Sequence, residues 1–328
     1  MADLSCRFVS LRLCGVVAPP ALCYRPKFIE GPDLMQTVRV ALAQFAPQLG
    51  KIAPNLEAHE ELVKKARREK AGVIVFPELS LTGYLLRDQV QDVALTKTSP
   101  AFRRLARASK DIDVVAGFVE EAPGHTFHNA AAYFSKGRLL HIHRKVYLPT
   151  YGMFDEGRDF APGAVFRAFD APRAATGLLI CEDAWHPTSA WILVQDGAEV
   201  LIVTSSGPTR GARPKRGITS VGVWHDLLRA TAQFQTSFVI YVNRVGFEDG
   251  LNFGGGSVAI DPFGREIAAL PALTAGLVVA ELDAETLRRA RTAYPLLRDE
   301  NIELLHRETI RLREKRFQLP PSRRRDER

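Results

Sequence analysis

The sequence predicts an α/β protein with a sheet-rich core and helices on its outer faces. Short apolar runs rich in Val, Ile and Leu recur along the chain, and stretches with helical spacing separate many of them. Other neighbouring runs are joined by tight turns, so hairpins and crossovers are mixed. With 328 residues and 46% hydrophobic content, the chain can bury a large core.

The first 34 residues read as an extension outside the fold, with little periodicity and few acids. A secretory signal does not fit, because Arg12 interrupts the apolar run and Asp3 lies near the start. A transit peptide and an over-extended start are both open readings, since Met35 directly precedes the first convincing strand. That strand is TVRVALAQF (37–45), which alternates. After Pro54, the segment NLEAHEELVKKARREK places Leu56, Leu62, Val63 and Ala66 on one helical face, with Asn55 as the expected N-cap. GVIVF (72–76) reads as a buried strand ending at Pro77. A helix is expected around 99–109 and a strand at DVVAGF (113–118). NAAAYF and RLLHIHR flank Ser135-Lys136-Gly137 and read as a hairpin. GLLIC, EVLIVT, SFVIYVN, GSVAI and LVVAEL supply later strands, with helices at 188–197 and 221–236. FGGGS (253–257) reads as a close-packed turn before a strand. No Gly-Lys-Ser/Thr follows it, so it is not a phosphate loop.

No linker interrupts the pattern between 35 and 282, which reads as one domain. Residues 283–328 read as a C-terminal helical segment and a basic tail. The Leu and Ile spacing of the helical part suits packing on the main domain or on another subunit. The formal net charge is +7, and Arg316, Arg323, Arg324, Arg325 and Arg328 concentrate the excess in the tail. No aromatic-basic platform accompanies them, so no nucleic-acid partner is expected. No apolar run reaches the roughly 20 residues that span a bilayer, so no membrane partner is expected either. Cys6, Cys14 and Cys23 fit no usual zinc spacing, and a reducing, cytoplasmic setting is the simplest reading. His141 and His143 share a strand face but lack a third ligand, so no metal is expected.

Three segments place polar residues where packing alone would not ask for them. In VIVFPELSLTGY (73–84), Glu78 follows an apolar strand, where a partly desolvated carboxylate can accept and return a proton. In HIHRKVYLPTYGMFDEGRDFAPG (141–163), Lys145 ends a strand, and Glu156 is expected to pair with Arg144, Arg158 or another cation. In GLLICEDAWHP, Cys181 sits where a buried strand turns toward a helix, a usual place for an exposed nucleophile. Each of these residues taken singly also has a bland reading, as loop acid, surface lysine or core thiol. The two acids after Cys181 argue against an inert core thiol, because they call for solvent or cations. A thiol needs a base, and a tetrahedral oxyanion needs a positive or N–H donor. Glu78, Lys145 and Cys181 each end a predicted strand, so one sheet edge could gather them.

FPELSLTGY, RKVYLPTYGMFDEGRDF and LICEDAWHP, in this order, resemble the three signature segments of the nitrilase superfamily of carbon–nitrogen hydrolases. The details are most similar to the glutaminase domain of glutamine-dependent NAD synthetases, including the CED triplet and YVNRVGFEDGLNFGGGSVAIDPFG (241–264). The resemblance implies a four-layer α-β-β-α sandwich and subunits that associate through helix faces and the C-terminal segment. It implies a Glu78–Lys145–Cys181 triad, with Glu156 positioning the lysine or substrate and the Glu182 amide facing the oxyanion. Tyr151, Ser206 and Arg213 match substrate-side positions more loosely. Thr150 stands where that branch usually has Asn, and 204–217 follows the glutamine-binding loop only roughly. The synthetase's Ser-Gly-Gly loop has no counterpart after residue 282. The implied activity is a glutaminase-like amidase that acts on a small-molecule amide without metal or cofactor. N-carbamoyl-amine hydrolase, ω-amidase and aliphatic amidase are its alternatives. A separate synthetase that accepts the ammonia is a conceivable partner. A non-catalytic subunit that docks on a synthetase and regulates it is the reading from another class.

Overall fold

Alternating apolar residues build two six-stranded sheets that stack face to face, and helices cover both outer faces. The computed structural model of the protein describes residues 35–213 and 217–318, with 212, 213 and 217 as backbone only. The expected extension 1–34, with Cys6, Cys14 and Cys23, lies outside the described residues, as does 319–328 of the basic tail.

The chain enters through β1 (Val38–Gln44), crosses over through α1 (Ile52–Arg68) and returns as β2 (Val73–Val75). Short α2 (Val90–Val93) and α3 (Pro100–Ala108) precede a meander of β3 (Asp113–Ala122), β4 (Thr126–Ser135) and β5 (Arg138–Arg144). A loop carrying α4 (Glu156–Asp159) leads to β6 (Phe169–Asp170), β7 (Ala175–Ile180), α5 (Pro187–Gln195) and β8 (Val200–Ser205). A small excursion, β9 (Ala212–Arg213) and β10 (Gly217–Ile218), precedes α6 (Thr219–Gln235) and β11 (Phe238–Asn243). The hairpin β12 (Val245–Glu248) and β13 (Leu251–Gly254) stands apart from both large sheets. Strands β14 (Val258–Ile260), β15 (Glu266–Ala269) and β16 (Gly276–Leu282) then give way to α7 (Ala284–Ala293), α8 (Leu296–Asp299) and α9 (Ile302–Phe317).

The first sheet has the order β16-β1-β2-β3-β4-β5, and the second β15-β14-β11-β8-β7-β6. The central triplets β1-β2-β3 and β7-β8-β11 are parallel, and the flanking pairs are antiparallel. Parallel strands are buried on both faces, which is why they read as continuous apolar runs. Successive side chains take opposite faces. Val40, Leu42, Val73, Val75 and Val115 meet the second sheet, while Ala41, Ala43, Ile74, Val114 and Ala116 meet α1 and α3. Leu193 and Val194 of α5 and Leu228 and Ala232 of α6 cover the other outer face. The layers therefore run α-β-β-α, as the resemblance implied.

Two local expectations change. Asn55 is not the N-cap. Helix α1 starts at Ile52, because the N–H that Pro54 lacks is one of the first-turn donors without a helical partner. Asn55 is instead buried within the helix, accepting from Gln48 N and donating to Leu81 O. The C-terminal segment is broken into three helices. Leu287 and Ala290 of α7 pack into the fold, whereas α9 buries none of its residues. No helix of the described residues is long and apolar enough to cross a membrane.

Candidate active site

Strands β2, β5, β7 and β8 end at one edge of the sandwich, and that edge collects the chemistry. Glu78 follows β2 in the turn Pro77-Glu78-Leu79. The turn packs on β3 at Gly117, where a Cβ would lie 2.3 Å from Leu79 N and 2.6 Å from Pro77 O, so only glycine fits. Lys145 follows β5, its N–H donating to Asn129 O at 2.8 Å. Cys181 follows β7 with φ +45°, a left-handed conformation that costs a non-glycine residue on the order of 1 kcal/mol.

Asp183 fixes this turn. Its carboxylate accepts from Val146 N, Tyr147 N and Ile180 N at 3.0, 3.0 and 3.1 Å, and bonds His143 Nε2 at 2.9 Å. It thereby ties the Cys181 turn to the segment that bears Lys145. The expectation that both acids after Cys181 seek solvent or cations fails for Asp183, while Glu182 is part-exposed at the cavity wall. Asp183 is fully buried among N–H donors, and Glu182 accepts from the Tyr151 hydroxyl at 2.8 Å. His143 has Asp183 as its partner, and His141 stacks on Phe169.

Glu78, Lys145 and Glu156 form one buried ionic cluster. Lys145 Nζ lies 2.8 Å from Glu78 Oε1 and 2.6 Å from Glu156 Oε1. Glu156 therefore pairs with Lys145, while Arg144 forks onto Glu120. Asn129 Nδ2 donates to Glu78 Oε1 at 2.7 Å, and Ser206 N–H donates to Glu78 Oε2 at 2.7 Å. The Tyr84 hydroxyl donates to Glu156 Oε1 at 2.6 Å. Ser205 Oγ lies 3.4 Å from Cys181 Sγ, so the last residue of β8 touches the thiol and the next residue, Ser206, touches the carboxylate.

Burial shapes the electrostatics. It pushes the Glu156 carboxyl up to about 7, with Lys145 opposing and Glu78 adding to the rise. For Lys145, burial works against the charge, but Glu156 and Glu78 outweigh it and hold the ammonium well above the usual lysine range. Burial and the Glu78 charge push the Cys181 thiol up, against Lys145, so the resting thiol is protonated.

Above the thiol lies a cavity of about 440 Å³, lined by Tyr151, Phe154, Trp185, Arg210 and Trp224 among others. Cys181 reaches it, whereas Glu78 and Lys145 lie behind, fully buried. Trp224 stacks on Tyr241 and meets Trp185 edge-on. The Arg210 guanidinium lies 5.1 Å from the Phe154 ring. Tyr151 lines the cavity as expected of a substrate-side residue, and burial followed by its bond to Glu182 raises its hydroxyl to about 12. Ser206 departs from that expectation. It is buried behind the thiol, with N–H and Oγ both on Glu78. Arg213 stands in β9, and its side chain lies outside the described residues.

Sequence reasoning assigned no role to Tyr84, Asn129 or Ser205. Asn129 carried a signal, as a polar residue leading an otherwise apolar run of β4. Among the described residues, no group of three or more His, Cys, Asp and Glu is arranged to hold a metal ion.

Residues 39–292 match the profile of the Carbon-nitrogen hydrolase family. A glutamine-dependent NAD(+) synthetase of Acinetobacter baylyi is 32% identical over 255 residues, covering 77% of this chain and 46% of the relative. The chain thus spans about half the length of the synthetase relatives it matches. An (R)-stereoselective amidase of Pseudomonas sp. is 32% identical over 276 residues, covering 83% of this chain and 94% of the relative. An amidase of Nesterenkonia sp. AN1, whose structure shows Michael addition of acrylamide at the active site cysteine, superimposes with a TM-score of 0.69 at 25% identity. The match covers 83% of this chain and 99% of that one.

Proposed function

Because the chain belongs to the carbon-nitrogen hydrolase family, enzymes that cleave carbon–nitrogen bonds other than peptide bonds, we propose that it is a cysteine amidase acting on a small carboxamide. One observation carries the reading most strongly. Cys181 opens into the cavity while its proposed base and its proposed oxyanion cation are buried directly behind it.

In this reading Glu78 takes the Cys181 proton as the thiolate attacks the amide carbonyl. The Lys145 ammonium and the Glu182 amide stabilise the oxyanion. The tetrahedral intermediate collapses, the carbon–nitrogen bond breaks, and Glu78 returns the proton to the departing ammonia. Water, deprotonated by Glu78, then attacks the thioester, giving the carboxylic acid and the free thiol. Asn129 and Ser206 hold the Glu78 carboxylate between these transfers. Glu156 holds Lys145, so the ammonium keeps its charge when Glu78 is protonated.

Within this class a glutaminase-like substrate range is the lead, supported by the synthetase relatives. N-carbamoyl-amine and ω-amidase chemistry remain its competitors. Arg210 favours a substrate with a carboxylate, since its guanidinium lines the cavity and pairs with no carboxylate among the described residues. Cytoplasmic residence, self-association, and delivery of ammonia to a separate synthetase complete the proposal. The test is ammonia release from glutamine, N-carbamoyl compounds and short aliphatic amides. Equal release by wild type and Cys181→Ala from every substrate would end the catalytic reading and favour a regulatory subunit. An acyl adduct on Cys181 in mass spectrometry would establish the thioester.

A further inference from the structure

The β12–β13 hairpin belongs to neither large sheet, yet its first strand ends in a buried acid, Glu248. One oxygen of Glu248 accepts from both Tyr84 N and Leu85 N at 2.8 Å. The other pairs with the fully buried Arg244, whose guanidinium lies over the Phe253 ring at 4.2 Å. Gly83, just before Tyr84, has φ +79°, and a Cβ there would lie 2.7 Å from Glu248 Oε2 and 2.8 Å from Leu49 Cα. The Tyr84 backbone is thus gripped at a close approach that only glycine permits. Its hydroxyl, at the other end of the residue, donates to Glu156 Oε1.

We propose that Glu248 is a positioning residue that acts through Tyr84 on Glu156, and through Glu156 on the Lys145 ammonium. The chain of contacts is continuous: Arg244 to Glu248, Glu248 to the Tyr84 amide, the Tyr84 hydroxyl to Glu156, and Glu156 to Lys145. A buried ion pair inside an otherwise small hairpin is costly in desolvation unless it fixes something. Here it fixes the backbone that carries a hydroxyl donor onto the site. The charged and titratable groups around Glu156 are Lys145, Glu78, Tyr84 and the Cys181 thiol, with Arg158 and Asp159 on its own helix. The Tyr84 hydrogen bond favours the ionised carboxylate, so loss of that bond raises the pH at which Glu156 ionises. Below that pH, Lys145 retains only Glu78 as counter-ion, and Glu78 is less free to act as a base.

The inference rests on the proposed role of Cys181 as nucleophile, and its test uses a reaction that needs no substrate. The rate of Cys181 alkylation by iodoacetamide is measured against pH in wild type, Tyr84→Phe, Glu248→Ala, Glu248→Asp and the Tyr84→Phe/Glu248→Ala pair. Aspartate keeps the charge opposite Arg244 but is too short to reach Arg244 and both amides together. The acid limb is expected to move up by about one unit in Tyr84→Phe, the size of one lost hydrogen bond to a carboxylate. Glu248→Ala and Glu248→Asp should move it in the same direction, and the double variant should move it no further than Tyr84→Phe alone. A folded Glu248 variant with the wild-type limb would overturn the inference, as would shifts that add in the double variant. If Glu248→Ala does not fold, Glu248→Asp decides. Normal alkylation without amide hydrolysis would count against the proposed activity and leave the positioning result standing.

Discussion

Lys145 Nζ and Glu156 Oε1 lie 2.6 Å apart with both side chains buried, and Glu156 is nevertheless held near neutrality, at about 7. Burial of the second carboxylate beside Glu78 explains this. One ammonium faces two acids, so the second acid ionises late. The folded pKa of Glu156 stands above its ordinary value of 4.5. The folded state therefore binds this proton more tightly than the unfolded chain. The associated stabilisation is full below about 4.5 and is lost as pH rises through about 7. Relative to Glu156→Gln, wild type should lose on the order of 2–3 kcal/mol of stability between those limits. Urea unfolding at a series of pH values measures it. Parallel stability curves for the two proteins would contradict the assignment.

Removing the lysine has a larger effect. Lys145→Met leaves Glu78 and Glu156 buried side by side without a cation, a loss of about 3–5 kcal/mol. Ammonia release should fall by about 10²–10³-fold, the order seen when an oxyanion donor is lost. Adding Glu156→Gln to Lys145→Met should recover part of the stability, because one buried charge disappears, but none of the activity. Calorimetry and a kinetic assay on the single and double variants separate these two effects. Recovery of activity in the double variant would remove Lys145 from the oxyanion role.

Asp183 gives a third expectation. Its carboxylate satisfies three backbone N–H groups and a histidine at a turn whose first residue is left-handed. Asp183→Ala orphans those donors, at about 1–3 kcal/mol for each that finds no water. The protein should be destabilised by several kcal/mol. Cys181 alkylation should slow even at temperatures where the variant remains folded, because the turn that presents the thiol is released. Wild-type alkylation in a folded Asp183→Ala protein would show that the turn holds itself.

The reach of the sequence reading follows from these contacts. Glu78, Lys145 and Cys181 were legible because each ends an apolar run, and strand periodicity survives in sequence. The layer order was legible through the family resemblance. Asp183 was misread because its donors come from Val146 and Tyr147, on a distant segment, and a carboxylate beside a strand end looks alike in water or among amides. Ser206 was placed with substrate because nothing local shows that its N–H reaches Glu78, 128 residues earlier. Asn55 looked like a cap because Pro54 was read as preceding the helix, whereas it lies in the first turn. For Asp183 and Ser206 the missing information was a long-range hydrogen bond, which has no periodicity to betray it.

Arg210 supplies the prediction closest to substrate choice. It lines the cavity with Cys181, its guanidinium stands over Phe154, and no carboxylate of the described residues neutralises it. An amide that carries a carboxylate would meet this cation, whereas a neutral amide would gain no ion pair from it. Arg210→Met keeps the apolar stem and the contact with Phe154 but removes the charge. The variant should raise KM for a carboxylate-bearing amide by about 10-fold or more, equivalent to roughly 1.4 kcal/mol, with kcat nearly unchanged. A short neutral amide should show the wild-type KM. The comparison is made at two ionic strengths, because a charge contact at an open cavity weakens with salt and an apolar one does not. Equal KM changes for charged and neutral amides would place Arg210 in the architecture of the cavity and leave the substrate carboxylate without a partner.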